Sequence, residues 1–204
     1  ALVIEQVSGI SYEQYIQKNI FEPLEMSRSY ADPELASQNG LSQGYSRFFC
    51  FTVPARQPHR TYEVGAGYII STAEDMAHYA IALNNEGVFH GRQVLSQAGM
   101  RQLFAPVQGY GMGWYVGQDY IWHGGANETF RTAMEIYPSR RLGIVLLINQ
   151  GYMLDHYISG PQVLVGVQAI ALGSNPPLAA SGISVQTIGF GLLALVLGLC
   201  ILHY

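Results

Sequence analysis

The residues whose types and spacing could do chemistry at one place are His123, Gly124 and Gly125, followed by Ala126 and Asn127. They lie in a run with the two-residue alternation that is typical of a β-strand. A glycine in a strand lets a ligand approach the backbone closely, and an N–H that no neighbouring strand uses can donate to a developing oxyanion. Residues 123–127 are therefore candidates for one wall of a cleft.

The same residues have two other interpretations. Without further signals, they are more often a strand end that turns through two glycines beside a structural histidine. They also match the oxyanion loop of lipases with the α/β-hydrolase fold. Those enzymes interleave strands with helices, whereas the strand-like runs of this chain follow one another directly. Trp114 and Trp122, on either side, are predicted to pack in the core, with a cleft wall as the alternative.

No histidine or cysteine pattern indicates a metal or redox site. The histidines show no His-x-x-x-His or His-Glu-x-x-His pairing, and Cys50 and Cys200 belong to no Cys-x-x-Cys motif. We predict no metal, no cofactor and no disulfide framework.

Charged residues are sparse and unevenly distributed. They make up 12% of the chain, where about a quarter is usual. Asp155 is the only charged residue between Leu142 and Tyr204. The net charge is −4, and no basic patch indicates nucleic-acid binding. The front two-thirds therefore has near-normal globular chemistry, and we predict no nucleic-acid partner.

Local signals predict four helices in the first half of the chain. They are a helix ending at Gly9, one capped by Ser11 with Gln14 and ended by Pro23, one capped by Ser71 or Thr72 and ended by Gly87, and one from Ser96 to Phe104. Residues 27–63, rich in Ser, Gln, Pro and Tyr, are predicted to form a long surface loop.

The second half changes to a period of two and predicts an antiparallel sheet of three or four strands. The strand-like runs are residues 109–117, 119–125, 130–138 and 140–150, with a hairpin connection at residues 138–141. The last run is nearly all apolar, which favours a central strand covered on both faces. A covering helix over residues 161–172 follows. The fold class predicted is mixed α/β, of the α+β kind.

The C-terminal residues 183–204 predict a transmembrane helix. These 22 residues contain no Asp, Glu, Lys or Arg, and about 20 apolar residues span a bilayer. The alternative is a buried core helix. We therefore divide the chain into a domain of residues 1–175, a linker of residues 176–182 and a membrane helix of residues 183–204.

Four phrases, taken in order, resemble the β-lactamase-related serine hydrolases, which include penicillin-binding proteins and class C β-lactamases. They are VIEQVSGISYEQYIQKNIFEPLEM, GAGYIISTAEDMAHYAIALNNEG, GYGMGWYVG, and WHGGANETF with the apolar strand that ends in Asn149. Together they cover about residues 1–172. The resemblance implies a β-lactamase/transpeptidase-like fold, of which this chain is the C-terminal portion.

The family has three catalytic elements: Ser-x-x-Lys, Tyr-x-Asn or Ser-x-Asn, and Lys-Thr-Gly or His-x-Gly. Residues 123–125 match the third, so the resemblance implies that the Ala126 N–H is an oxyanion donor and that His123 donates to the substrate. Gly125 would share the catalytic wall, and Gly124 and Asn127 would contact the substrate. Lys18 is the only lysine and Tyr15 precedes it by three, so Ser-x-x-Lys is absent. The second element is expected upstream with it, before the chain starts.

The resemblance therefore implies a bacterial serine hydrolase whose longer parent hydrolyses an amide or ester through an acyl-enzyme. It would be an esterase, amidase or D,D-peptidase acting on a small-molecule or peptidoglycan-like substrate. We expect it to be anchored in the cell membrane with its hydrolase domain outside the cytoplasm, and this chain alone to be inactive. The alternative is a non-catalytic envelope module of the same fold that binds or regulates.

Overall fold

The protein is described from a computed structural model, which describes residues 1–48, 51–58, 64–151 and 160–177. The helices within these ranges are α1 (Leu2–Ser8), α2 (Tyr12–Ile16), α3 (Pro33–Gln38), α4 (Ala73–Asn84), α5 (Gln97–Leu103) and α6 (Gly160–Ala171). The strands are β1 (Gly44–Phe48), β2 (Phe51–Ala55), β3 (Val88–Phe89), β4 (Arg92–Gln93), β5 (Tyr115–Val116), β6 (Ile121–Ala126), β7 (Arg131–Tyr137) and β8 (Leu142–Ile148).

The largest described sheet has four strands in the order β5-β6-β7-β8, and each neighbouring pair is antiparallel. The prediction of an antiparallel sheet with helices around it is confirmed. A 3-10 turn, Pro138–Arg140, joins β7 to β8. Arg141 completes the connection in the left-handed conformation, with φ 51°.

The prediction that the apolar run of β8 is a central strand is wrong for the described sheet, where β8 comes last in the order. Helices cover both faces of β8, which explains its apolar composition. α4 packs on one face so closely that a Cβ at Gly143 would lie 2.8 Å from the Ala80 Cβ. α6 contacts β8 as well, and its Gln168 donates to the Tyr137 hydroxyl at 2.8 Å. Because Tyr137 alternates with the core residue Ile136, α6 lies on the opposite face.

Helix capping follows the sequence signals closely. Ser11 accepts from the Gln14 N–H in a complete capping box, and Thr72 accepts from the Asp75 N–H. α2 runs directly into a π-helical turn, Gln17–Phe21, which ends before Pro23. α4 connects the two apolar clusters of the domain, because its residues Met76 and Tyr79 pack against both.

The predicted surface loop of residues 27–63 contains regular structure, and that prediction is wrong in part. Asp32 caps α3 by accepting from the Glu34 and Leu35 N–H groups, with Pro33 at the first helical position. β1 and β2 then form an antiparallel hairpin. Polar composition hid both elements, because most of the hairpin is only partly buried and its apolar alternation is weak. Residues 49–50 and 59–63 lie outside the described ranges.

The hairpin is attached to the end of the main sheet. The Tyr45 N–H donates to the Asn149 carbonyl and the Gly151 N–H donates to the Tyr45 carbonyl, both at 2.9 Å. The Asn149 side chain also donates to the Gln43 carbonyl at 3.0 Å. β1 therefore lies beside the chain that leaves β8, next to the turn between β6 and β7.

The predicted transmembrane helix of residues 183–204 lies outside the described residues, as do residues 178–182 of the predicted linker. Within the described ranges, no helix combines the length and apolar character that crossing a membrane requires.

Candidate functional site

The candidate site is the part of β6 that extends beyond its shorter neighbour. β5 pairs only with Ile121 and Trp122. From His123 to Ala126, β6 is paired on its other side with β7. On the β5 side, these four residues have no strand partner among the described residues. We call this stretch the free edge.

β5 is short for a reason that the alternation of residues 109–117 did not reveal. Gly109 and Gly113 have φ of 86° and 82°, and Gln108 has φ 54°. These left-handed residues cannot continue an extended strand, so only Tyr115 and Val116 pair with β6. The predicted strand is thus mostly a turn-rich segment, and its early end creates the free edge.

The backbone direction on the free edge follows from one hydrogen bond. The Asn127 N–H donates to the Phe130 carbonyl at 3.0 Å, toward the β7 side. Because N–H groups alternate in direction along a strand, those of Gly125 and His123 also point toward β7. Those of Ala126 and Gly124 then point to the free edge. The Ala126 N–H thus has the direction that an oxyanion donor needs, while its catalytic role stays a prediction.

The two glycines keep this edge open. A Cβ at Gly125 would lie 2.7 Å from the Thr132 Oγ1, and a Cβ at Gly124 would meet only the Thr132 carbonyl oxygen, at 3.4 Å. Both glycines and His123 are exposed. A flat ligand group can therefore reach the backbone here without crossing a side chain.

The His123 ring is held by aromatic neighbours. It stacks on Tyr115 with centroids 6.0 Å apart and tilts against Tyr110 at 6.2 Å. Among the described residues it makes no hydrogen bond. The imidazole is therefore positioned by ring packing, with its nitrogens available to a ligand.

Asn127 lies at the end of the free edge, but its side-chain oxygen accepts hydrogen bonds within the turn. Asn127 Oδ1 accepts from the Thr129 N–H at 3.0 Å and from the Phe130 N–H at 2.7 Å. This Asx turn reverses the chain between β6 and β7. Substrate contact by Asn127 stays a prediction and would have to use its amide nitrogen.

The turn is supported by residues that the sequence did not indicate. Thr129 is fully buried and its hydroxyl donates to Gln57 Oε1 at 2.8 Å. Gln57 in turn donates to Glu128 Oε2 at 2.7 Å. A Cβ at Gly44 would lie 2.7 Å from the Thr129 Cβ, and one at Gly151 would lie 2.5 Å from the Asn127 carbonyl oxygen. No local pattern links these residues, because they come from three distant parts of the chain.

The two tryptophans differ in their roles. Trp114 is 6% exposed and packs with Tyr79 and Phe104, as predicted for a core residue. Trp122 is 38% exposed and stacks on Tyr115 with centroids 4.4 Å apart. The core prediction is therefore wrong for Trp122, because Ile121 fills the core and the next residue of a strand points to the other face.

A buried carboxyl lies on the face of the sheet opposite His123. Burial raises the pKa of Glu135, and the Tyr137 hydroxyl, which donates to it at 2.8 Å, partly offsets this shift. Burial also raises the pKa of Tyr137 to about 12. Glu135 is paired in register with Trp122, so these two side chains share one face of the sheet. His123 follows Trp122 in β6, and its side chain therefore points to the opposite face.

Two motifs in the chain match catalytic patterns by letter. Residues 40–44 read Gly-Leu-Ser-Gln-Gly, the pattern of the nucleophile turn of α/β-hydrolases. That turn leads from a strand into a helix, whereas Ser42 lies between α3 and β1. Ser37-Gln38-Asn39 matches Ser-x-Asn, but it is the exposed end of α3, where Asn39 donates to the Leu35 carbonyl. Neither motif has the context its chemistry requires.

Within the described ranges, no three His, Cys, Asp or Glu side chains lie close enough together to hold a metal ion.

Comparisons with known proteins identify the family of this chain. The sequence profile of the Beta-lactamase family matches residues 1–165. The chain is similar to Unguisins hydrolase ungD' of Aspergillus campestris, with 27% identity over 176 residues, which cover 76% of this chain and 32% of that protein. The chain spans about a third of the length of the curated relatives it matches.

Two solved structures have a similar fold. One is an octameric penicillin-binding protein homologue from Pyrococcus abyssi, with a TM-score of 0.64 and 25% identity over 85% of this chain and 40% of that one. The other is a Beta-Lactamase/D-Alanine Carboxypeptidase from Pseudomonas syringae, with a TM-score of 0.61 and 16% identity over 74% of this chain and 52% of that one. The profile match over four-fifths of the chain shows that this protein belongs to the beta-lactamase family.

Proposed function

We propose that this chain is the C-terminal part of a membrane-anchored serine hydrolase of the β-lactamase and penicillin-binding-protein type, similar to class C β-lactamases. The longer protein would hydrolyse an amide or ester of a small-molecule or peptidoglycan-like substrate. The observation that carries the proposal is the Ala126 N–H, which points to the unpaired side of β6.

The free edge would act on the acyl group of the substrate. When a serine oxygen attacks a carbonyl carbon, the carbonyl oxygen gains negative charge, and a fixed backbone N–H stabilises that charge without reorganising. The Ala126 N–H would be one such donor. His123 would donate to a polar group of the same substrate, since its ring nitrogens make no hydrogen bond to described residues.

The nucleophile would come from a Ser-x-x-Lys segment upstream of residue 1. Lys18 is the only lysine of this chain, and it follows Tyr15 rather than a serine at the required spacing. It also lies in the π-helical turn after α2, at an exposed position. We therefore expect no acyl-enzyme on the 204-residue chain.

Covalent labelling tests this proposal. The longer protein should be labelled by a fluorescent penicillin or a fluorophosphonate, and changing the serine of its Ser-x-x-Lys to alanine should abolish the label. The 204-residue chain and its Ser42→Ala variant should both stay unlabelled. Specific labelling of the chain that Ser42→Ala removes would assign the nucleophile to Ser42, and a longer protein without any Ser-x-x-Lys would favour a non-catalytic envelope module.

The membrane anchor and topology form a separate part of the proposal. Residues 183–204 would hold the protein in the cell membrane, with residues 1–175 outside the cytoplasm. Protease added to intact cells should cut within residues 27–63, where most described side chains are at least partly exposed. Full protection of that segment would reverse the orientation.

A further inference from the structure

Four aromatic rings meet at the start of the free edge: Tyr110, Tyr115, Trp122 and His123, which we call the aromatic cluster. Tyr115 is central. Its ring centroid lies 4.8 Å from Tyr110 in an edge-to-face contact, 4.4 Å from Trp122 and 6.0 Å from His123 in stacked contacts.

The aromatic cluster is at the surface rather than in the core. Tyr110, Tyr115 and Trp122 are 39%, 45% and 38% exposed, and His123 is exposed as well. Cross-strand stacking alone would account for the Tyr115–Trp122 pair. It does not account for the contacts that Tyr110 and His123 make with the same Tyr115 ring.

The position of the aromatic cluster relates it to the free edge. Tyr115 pairs with Trp122, the last β6 residue that β5 covers, so the rings stand where the free edge begins. A strand advances about 3.3 Å per residue, which places Ala126 roughly 10 Å farther along β6 than His123. A substrate whose carbonyl lies at the Ala126 N–H would therefore reach the rings with a group about that distance away.

We infer that the aromatic cluster receives an aromatic side group of the substrate, about 10 Å from the reacting carbonyl. This inference rests on the proposed function for the meaning of that carbonyl, and it adds the substrate class: acyl or peptide derivatives that carry an aromatic ring. Edge-to-face and offset-stacked ring pairs gain more than their buried area alone provides, and the cluster contains both edge-to-face and stacked contacts.

The test measures binding to the 204-residue chain with two probes of similar size, N-acetyl-phenylalanine amide and N-acetyl-leucine amide, by ligand-observed NMR. The aromatic probe should bind roughly 3- to 10-fold more tightly, the range expected for one additional ring contact. Tyr115→Leu and Trp122→Leu should each reduce that preference to below about 2-fold. Tyr115→Phe, which keeps the ring, should retain it.

Phe51→Leu is the matched control, because Phe51 is 65% exposed on β2 and has no ring contact with the aromatic cluster. It should leave the preference unchanged. Unfolding midpoints of all variants separate lost binding from lost folding, and the two leucine substitutions provide independent tests. Equal binding of the two probes to the wild-type chain, or a preference that survives both leucine substitutions, would overturn the inference.

Covalent labelling of the longer protein tests the proposed function separately. If no label forms, hydrolysis fails as an explanation while the probe preference is still measured on this chain. If the label forms and the probes bind equally, only the aromatic specificity fails.

Discussion

Replacing Gly151 with alanine tests whether packing behind the β6–β7 turn sets the free edge. The added Cβ would lie 2.5 Å from both the Asn127 carbonyl oxygen and the Thr129 backbone nitrogen. Ordinary contact begins at 3.4 Å, so these atoms must separate by about 0.9 Å. Both contacts are backbone atoms, and no side-chain rotation can relieve them. The turn itself must move.

The magnitude has two parts. Overpacking of a tight site costs about 1–3 kcal/mol, and the loss of glycine's freedom in the unfolded chain offsets about 0.4–1 kcal/mol. Gly151→Ala should therefore lower the free energy of unfolding by about 1–2 kcal/mol, measured by urea denaturation of the 204-residue chain. Gly67→Ala is the matched control, because no atom lies within 4 Å of its added Cβ. It should be neutral or slightly stabilising.

Catalysis should respond to the same movement. Ala126 is one residue from Asn127, and a misplacement near 1 Å costs roughly 100-fold in rate when it reaches the reacting groups. In the longer protein, Gly151→Ala should lower kcat about 10- to 100-fold with little change in KM, since an oxyanion donor acts only in the transition state. An unchanged kcat beside a real loss of stability would refute the link between this turn and the donor. Equal stability of the Gly151 and Gly67 variants would refute the packing account.

Three further predictions concern neighbouring groups. His123→Ala should lower kcat/KM of the longer protein by roughly 10- to 1,000-fold, and an unchanged value would make His123 structural. Thr129→Val keeps the shape but loses the hydrogen bond to Gln57, so urea denaturation should show a loss of about 0.5–1.5 kcal/mol; no loss would mean that the turn does not depend on that bond. Because burial raises the pKa of Glu135 above its ordinary value, the folded state holds its proton more tightly than the unfolded state, and stability should fall as pH rises from that ordinary value through the raised one. Glu135→Gln should lack this decline in a denaturation series from about pH 4 to pH 8, and parallel curves for the two proteins would contradict the assignment.

The features that could be predicted from the sequence depend on interactions between neighbouring residues. Ser11, Thr72 and Ser96 each accept a hydrogen bond from the N–H three residues later, and such bonds depend only on neighbouring residues. The strand that carries residues 123–126 was visible for the same reason, through its alternation. Distant contacts had no signal in the sequence: Thr129 and Gln57 are 72 residues apart, and no periodicity indicates such a pair.

Strand order and strand faces failed for a related reason. The apolar composition of β8 reflects its coverage by α4 and α6. It does not indicate whether a second strand lies beside β8. Trp122 was misassigned because large aromatic side chains usually pack in the core. The pleat sends adjacent side chains to opposite faces, and Ile121 occupies the core face. The length of β5 depended on the left-handed backbone angles of Gly109 and Gly113, which precede it and which the alternation pattern does not contain.

Some glycines of the chain are required by packing, whereas those of the free edge are not. Gly44 and Gly151 are required by packing, since a methyl group on either would meet the buried turn at 2.7 Å or less. Gly124 has room for a methyl group, and Gly125 would meet only the hydroxyl of Thr132, an exposed side chain that can turn away. Neither has a left-handed φ. Glycine in a strand costs about 0.5–1 kcal/mol relative to alanine, so the free edge gives up about 1–2 kcal/mol that the fold itself does not require. The proposed cleft, in which a substrate would lie against the backbone, offers a reason for glycine at these two positions.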